Sequence, residues 1–460
     1  MPRQDKPQRR AKRKAKKARA RRKPRPDYRK DWLECQRHFL TPAFWQALHR
    51  VAGAVAGTRW TLMSILMVAM MMMFFATPSV HERFAEARAV WTLLYPKRRR
   101  VGKTVAGWLQ ALQRIGRPVL KRMAELLRPR IAKLLAEGWT VDGWIPFAGD
   151  GSRLALPRTA ELQRAFSDGN GDTVNMWVTS LVHVPTGVPW GWRLGKATAS
   201  ERDHVRYLLP TLPANALLLA DAGFTSYELW SAMQQRGQSF LIRLSSGCHF
   251  YTDYEVRPNF REGTAYLWPT RKKKAAPLAL RLIRVPGRKK GPGAKHDLWL
   301  ATNVLDSTKL SRRTATKLYR MRWEQEVFYR SLKCTLSQTK LASHTVKQVV
   351  REAELALLAT QLLLAQAAWA TLRQGQPRRA SAAKAVQLFR AEMRHLLRRG
   401  SLRPRYLRRL GQAVREQRPD RTSSKANRAR PKPYKVPGRP IFHRLTRDAK
   451  AAIAKHLQAA

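Results

Sequence analysis

The sequence predicts an α/β protein, and three observations carry the expectation. Periodicity changes at about residue 141, from helical repeats to apolar strand-like runs. A short, wholly apolar run at 216–220 stops at Asp221 and Gly223, as a buried strand does. Between the earlier runs and this one stands Ser200-Glu-Arg-Asp203, a capping-box pattern that opens a helix. The elements then follow in order. Residues 144–148 form a strand leading into Gly149-Asp150-Gly151-Ser152. Residues 174–184 are a second strand, Pro185-Thr186-Gly187 a turn, and 188–194 a third strand. The capped helix runs to about 209, the buried strand covers 216–221, a helix covers 227–235 and a strand 240–244.

Three strands in meander, a helix, then strand-helix-strand is the order of the ribonuclease H-like fold. The usual closing helix of that fold is delayed here by about sixty residues. The intervening stretch, about 246–306, holds strand-like pieces at 264–268, 278–285 and 297–301 and a basic loop at 271–274, so it reads as a β-rich insertion. The expected domains are a disordered basic arm at 1–30, a helical N-terminal region at 31–140 that binds DNA, a catalytic domain at 141–345, and a helical then basic C-terminal region at 346–460. Residues 399–409 and the proline-punctuated 431–437 are expected to grip backbone or act as linkers.

Lys and Arg number 90 against 30 Asp and Glu, a formal net charge of +60. An enzyme for small neutral substrates has no use for such a field, which attracts any polyanion. Nucleic acid is the economical partner. Residues 1–30 hold sixteen Lys or Arg and too little apolar surface to fold alone or to serve as a secretory leader. Cys35, Cys248 and Cys334 lie far apart with no CxxC pair. This argues against zinc and a disulfide framework, and for a reducing cytoplasm, where the protein is expected on the nucleoid. The Met-rich run at 60–76 is marginal for a membrane span and is expected as a buried helix, with no membrane partner. Gly102-Lys103-Thr104 lacks the earlier glycine and strand of a phosphate loop.

The chemistry-bearing stretch is Tyr319-Arg-Met-Arg322-Trp-Glu-Gln-Glu326, running on to Lys333. On a helix, Tyr319, Arg322, Glu326 and Lys333 share one face, joined by Arg330. A carboxylate flanked by arginines, a lysine and a tyrosine makes a poor core face; it suits a metal ligand among phosphate-holding groups. An amphipathic surface helix with Arg–Glu pairs is the bland alternative. Cutting a phosphodiester with two divalent cations needs carboxylates converging from several elements. Asp150 closes the first strand and Asp221 the fourth, which lie side by side in this fold, and Glu326 supplies the third acid. Asp142 reads as a turn residue, Glu324 as a solvated or salt-bridged neighbour, and Asp168 and Asp172 as turn residues. His183 and His204 read as structural or surface residues.

The spacing tyrosine-x2-arginine-x3-glutamate-x6-lysine, with Asp150-Gly-Ser and Asp221-Ala-Gly-Phe224, resembles the motifs of DDE transposases of bacterial insertion sequences (type 4 family). The resemblance covers roughly 140–340 and extends to the β-insertion. It implies Asp150, Asp221 and Glu326 holding two Mg²⁺ (or Mn²⁺) ions, and Tyr319, Arg322 and Lys333 gripping phosphates, with Arg330 beside them. It also implies a tryptophan of the insertion, Trp299 or Trp268, stacking on a flipped base, although large aromatics are commonly core. The implied activity is hydrolysis at transposon ends followed by 3′-hydroxyl strand transfer, within a dimer that pairs two ends. An inactive DNA-binding remnant is the alternative.

Overall fold

The computed structural model describes residues 28–53, 59–77, 79–98, 100–167, 173–269, 276–287, 297–335, 340–376, 379–415 and 438–458. The expected arm at 1–30 lies almost wholly outside them, as do Asp168, Asp172 and the 431–437 stretch. The strands are β1 (Ile145–Ala155), β2 (Asn175–His183), β3 (Val188–Gly195), β4 (Ala216–Ala220), β5 (Ser239–Arg243), β6 (His249–Thr252), β7 (Glu262–Leu267), β8 (Leu278–Val285), β9 (Leu298–Thr302) and β10 (Ile441–Arg444). They form one sheet in the order β10-β6-β7-β8-β9-β5-β4-β1-β2-β3. β1, β2 and β3 are antiparallel neighbours, whereas β4 and β5 run parallel to β1. β4 is buried at every position, as a central parallel strand covered on both faces must be.

One expectation is corrected here. β1 does not end at Asp150 but continues to Ala155, because Asp150 to Ala155 pair with Ser180 to Asn175 of the long β2. In the stretch at about 246–306, β9 pairs with β5 and β8 with β9, so those strands extend the central sheet.

Helices cover both ends of the chain: α1 (Arg29–Phe39), α2 (Pro42–Ala52), α3 (Leu62–Met72), α4 (Val80–Leu94), α5 (Val105–Arg114), α6 (Arg117–Leu134), α7 (Ala160–Phe166), α8 (Glu201–Leu208), α9 (Tyr227–Gln235), α10 (Arg312–Met321), α11 (Glu324–Arg330), α12 (Val346–Leu372), α13 (Ala382–Arg399), α14 (Tyr406–Gly411) and α15 (Arg447–Gln458). The Met-rich α3 opens with a reciprocal Thr61/Ser64 capping box and is buried at ten of its eleven positions. α12 is the one described helix long and apolar enough to cross a membrane, and 94% of its apolar window is buried inside the protein. It packs on α3, α6, α13, α14 and β3, so segments from both ends of the chain wrap one central helix. Gln361 at its middle donates to the Pro189 carbonyl at 2.8 Å, fixing it to β3.

The basic C-terminal segment is also corrected. Arg403 and Arg409, expected to grip backbone, instead pair at 2.8 Å each with Glu392, whose side chain is fully buried. Tyr406 and Leu410 of α14 belong to the core. Farther on, β10 pairs in parallel with β6 and closes that edge of the sheet.

Candidate active site

Glu326 is positioned by its neighbours on α11. Gln325 and Tyr329, one turn apart, are buried against β1 and β2. The Gln325 side-chain amide donates to the Ser180 hydroxyl at 2.8 Å. Ser180 donates to the Tyr329 hydroxyl at 3.0 Å, and that hydroxyl lies 2.9 Å from the Asp150 carbonyl and 2.8 Å from the Val178 carbonyl. This chain of hydrogen bonds fixes α11 against the strand that carries the first acid, and in a buried setting its members polarise one another. Glu324, on the outer side of α11, binds Arg379 at 3.0 Å and Arg415 at 2.7 Å, which is the salt-bridge role expected of it.

The expected continuous helix from Tyr319 to Lys333 is broken. α10 ends at Met321, a turn occupies Arg322 and Trp323, α11 follows, and Ser331–Thr335 forms a π-helical turn. The break leaves Trp323 53% exposed. Tyr319 is buried, Arg322 sits at the break, Lys333 is partly buried in the π-turn, and Arg330 is exposed. Arg330 stays on the same short helix as Glu326, four residues on.

Asp150, Asp221 and Glu326 all act on Arg322 electrostatically. Burial by itself lowers the Arg322 pKa, but Tyr319 and the carboxylates of Asp150, Glu326 and Asp221 outweigh it and raise the value. Glu326 accepts from Arg322 at 3.0 Å. Asp221 follows β4 directly and caps a short 3-10 turn, its carboxylate accepting from the Gly223 amide at 2.7 Å. Asp150 accepts from the Gly151 amide at 2.8 Å. Burial pushes its carboxyl up to about 6, and the neighbouring Asp221 and Glu326 add to the shift while Arg322 opposes it. Tyr319 lies beside Arg322, Arg243 and Asp221, with its hydroxyl pKa raised by burial.

A fourth carboxylate belongs to this neighbourhood. Glu201, the first residue of α8, is pushed up to about 7 by burial and by Asp150 and Asp221. A Cβ on Gly151 would come 2.4 Å from its Oε1 and 2.6 Å from the Trp177 indole nitrogen, so glycine is what admits both side chains. The sequence reading treated Glu201 only as part of a helix cap. Its signal was the capping pattern itself, which placed an acid at the start of the helix preceding β4.

The donor set is all oxygen, and its carboxylates raise one another's affinity for positive charge, which suits a hard divalent cation. As the side chains stand, Arg322 supplies that charge, and among the described residues no three acids or histidines are grouped closely enough to hold an ion. The two insertion tryptophans are covered. Trp299 is 3% exposed and stacks on Phe260 at 5.5 Å; Trp268 is 5% exposed, packed by Tyr251 and by Ala449 and Ile453 of α15. Asp142 is a turn residue with φ of 49°, paired with Lys317 at 2.9 Å.

With this geometry in place, the chain can be set beside known proteins. Residues 147–362 match the family model described as the transposase DDE domain, a span that takes in Asp150, Asp221 and Glu326. Among solved structures the chain is similar to a piggyBac transposase synaptic complex with hairpin DNA, determined by cryo-EM. Identity is 11% and the TM-score 0.41, over 84% of this chain and 86% of that one. No curated protein matches.

Proposed function

We propose that the chain is a DNA transposase of the DDE type, built on a ribonuclease H-like core at 141–345 with a β-rich extension at about 246–306. The observation that carries this reading is the gathering of Asp150, Asp221 and Glu326, from β1, the end of β4 and α11, around one arginine. The sheet order β3-β2-β1-β4-β5 supports it, as does the domain match. Asp150, Asp221 and Glu326 would hold two Mg²⁺ or Mn²⁺ ions. Bound there, the cations supply charge to activate the attacking oxygen and to stabilise the departing one.

This chain's own residues account for the rest. Arg322, released from Glu326, can fork onto the scissile phosphate; Tyr319 donates a hydrogen bond beside it, and Lys333 adds a mobile positive charge. Water then cuts the strand at the element's end, leaving a 3′-hydroxyl. That hydroxyl attacks a second phosphodiester, forming one P–O bond as another breaks. The basic regions at 1–30, 31–140 and 346–460 would bind end sequences and target backbone, within a dimer on the nucleoid.

The test is cleavage of a labelled duplex carrying the element's own end, with Mg²⁺, comparing wild type and Glu326→Gln. Cutting should disappear in the variant and on chelation, with DNA binding kept. Equal cutting by the variant removes Glu326 from the triad. Tight binding without cutting by wild type favours an inactive DNA-binding descendant.

A further inference from the structure

A second positively charged surface lies away from the acid cluster. It is a groove of about 1120 Å³ beside β3, the outer strand of the sheet, between α6, α8 and the end of α9. Trp192 of its floor pairs with Ser180, which pairs with Asp150. The groove therefore begins two strand spacings, roughly 10 Å, from the first acid.

Six cations line it (Arg117, Lys121, Arg128, Arg193, Arg206 and Arg236) against two carboxylates, Glu125 and Glu354. Both acids are already engaged. Glu354 holds Arg117 at 2.7 Å and Glu125 holds Arg122 at 3.1 Å. Arg206 pairs with Asp203 in an exposed bridge that a stronger anion could displace. Among the described residues the side chains of Lys121, Arg128 and Arg236 make no hydrogen bond or close ion pair, and all three line the groove. Arg128 is partly buried, and burial lowers its pKa. The Glu125 carboxylate offsets part of the cost of that burial, and an incoming anion would offset more of it. The Arg193 guanidinium lies 3.8 Å from the centre of the Tyr207 ring, whose side chain is 55% exposed. That cation–π contact steadies a guanidinium whose fork of N–H donors is matched to phosphate. The groove's open walls and charged lining suit a polymer of phosphates better than an apolar small molecule.

We infer that this groove binds the sugar-phosphate backbone of a DNA duplex outside the catalytic cleft. It rests on the DNA-acting reading above, and its test is separate from the test of the acids. Binding of a short labelled duplex is measured across a salt series for wild type, for Lys121→Glu/Arg236→Glu, and for Arg128→Gln/Arg193→Gln, each checked for an unchanged melting temperature. Each pair should weaken binding at least tenfold at moderate salt and reduce the slope of log K against log salt by about 2. The two sources of duplex separate in reactions on the element's own end. Intact end cleavage with lost strand transfer assigns the groove to target DNA, and joint loss assigns it to the end itself. Unchanged affinity and slope in both pairs overturn the inference and leave these cations as guards of an edge strand. If Glu326→Gln cuts like wild type, the catalytic reading fails while the binding comparison stands.

Discussion

Glu324 and Glu326 are two residues apart and carry opposite expectations. Glu324 lies between Arg379 and Arg415, its side chain 13% exposed and each arginine 32% exposed. Glu324→Ala would leave two guanidiniums facing each other with no counter-charge. Breaking a fully buried ion pair costs about 3–5 kcal/mol. With the arginines one-third in water, screening brings the expected loss to about 1–3 kcal/mol. That corresponds to a fall in melting temperature of about 2–6 °C. Glu326 sits 35% exposed, bound to a single arginine on its own segment. Glu326→Gln should therefore leave the melting temperature within about 1 °C, since surface-type pairs are worth about 1 kcal/mol or less, and should abolish cutting. Differential scanning fluorimetry and end cleavage on the same preparations read both quantities. If Glu324→Ala melts like wild type but does not cut, the roles are reversed; if Glu326→Gln melts several degrees lower, its place in the reaction is not established by its inactivity.

Three further expectations follow from single side chains. Gly151→Ala should slow end cleavage about tenfold or more while keeping duplex binding, because its Cβ would strike Glu201 and Trp177; wild-type rates would show that those side chains yield freely. Glu392→Gln should lower stability by about 2–4 kcal/mol in urea unfolding, less than a wholly buried pair because Arg403 is 42% exposed, and an unchanged midpoint would refute the pairing. His183 is neutral in the fold, donating from Nε2 to the Trp139 carbonyl at 2.9 Å and accepting at Nδ1 from Thr186 at 2.8 Å; burial depresses its pKa to about 3. The unfolded chain binds a proton there first, so stability from this group is level above pH 6.5 and falls by about 1.4 kcal/mol per pH unit from there toward pH 3. Denaturant midpoints at pH 7, 6 and 5 should show a shallower slope in His183→Gln, and an identical slope would refute the assignment.

The sheet was legible because its strands are apolar runs between strong turn signals. α9 and β8 fall at the residues expected, and β2, β3 and β5 within one or two. Asp150 was found, but not its position inside a strand: Gly149 and Gly151 look like a turn, and only pairing with β2 keeps the chain extended there. β6 and β10 escaped notice because each is four residues long, and the partner of β10 is distant in sequence. The break at Arg322 and Trp323 has no proline or glycine to announce it. Local spacing therefore described a continuous face that tertiary contacts divide. The arginines of the C-terminal segment misled for a related reason. Charge runs are usually solvated, and nothing near Arg403 or Arg409 in sequence shows that Glu392 is buried beneath them.

The division of that helix has a mechanical consequence. α10 is held by the apolar cluster that includes Leu318 and Tyr319, on the β4, β5 and β9 side of the sheet. α11 is held by β1 and β2 through Gln325 and Tyr329, and by the C-terminal segments through Glu324. Arg322 lies at the joint between two independently anchored pieces. Arg322, proposed to grip phosphate, and Glu326, proposed as the third acid, are thus four residues apart yet referenced to different parts of the sheet. In one unbroken helix the Arg322–Glu326 pair would keep an intrahelical geometry set by four-residue spacing alone. On the proposed function that pair must open for Glu326 to meet a cation and Arg322 a phosphate, and the joint between the two anchors is where it would do so. Arg379 and Arg415, which hold Glu324 on the same short helix as Glu326, lie more than fifty positions along the chain from it.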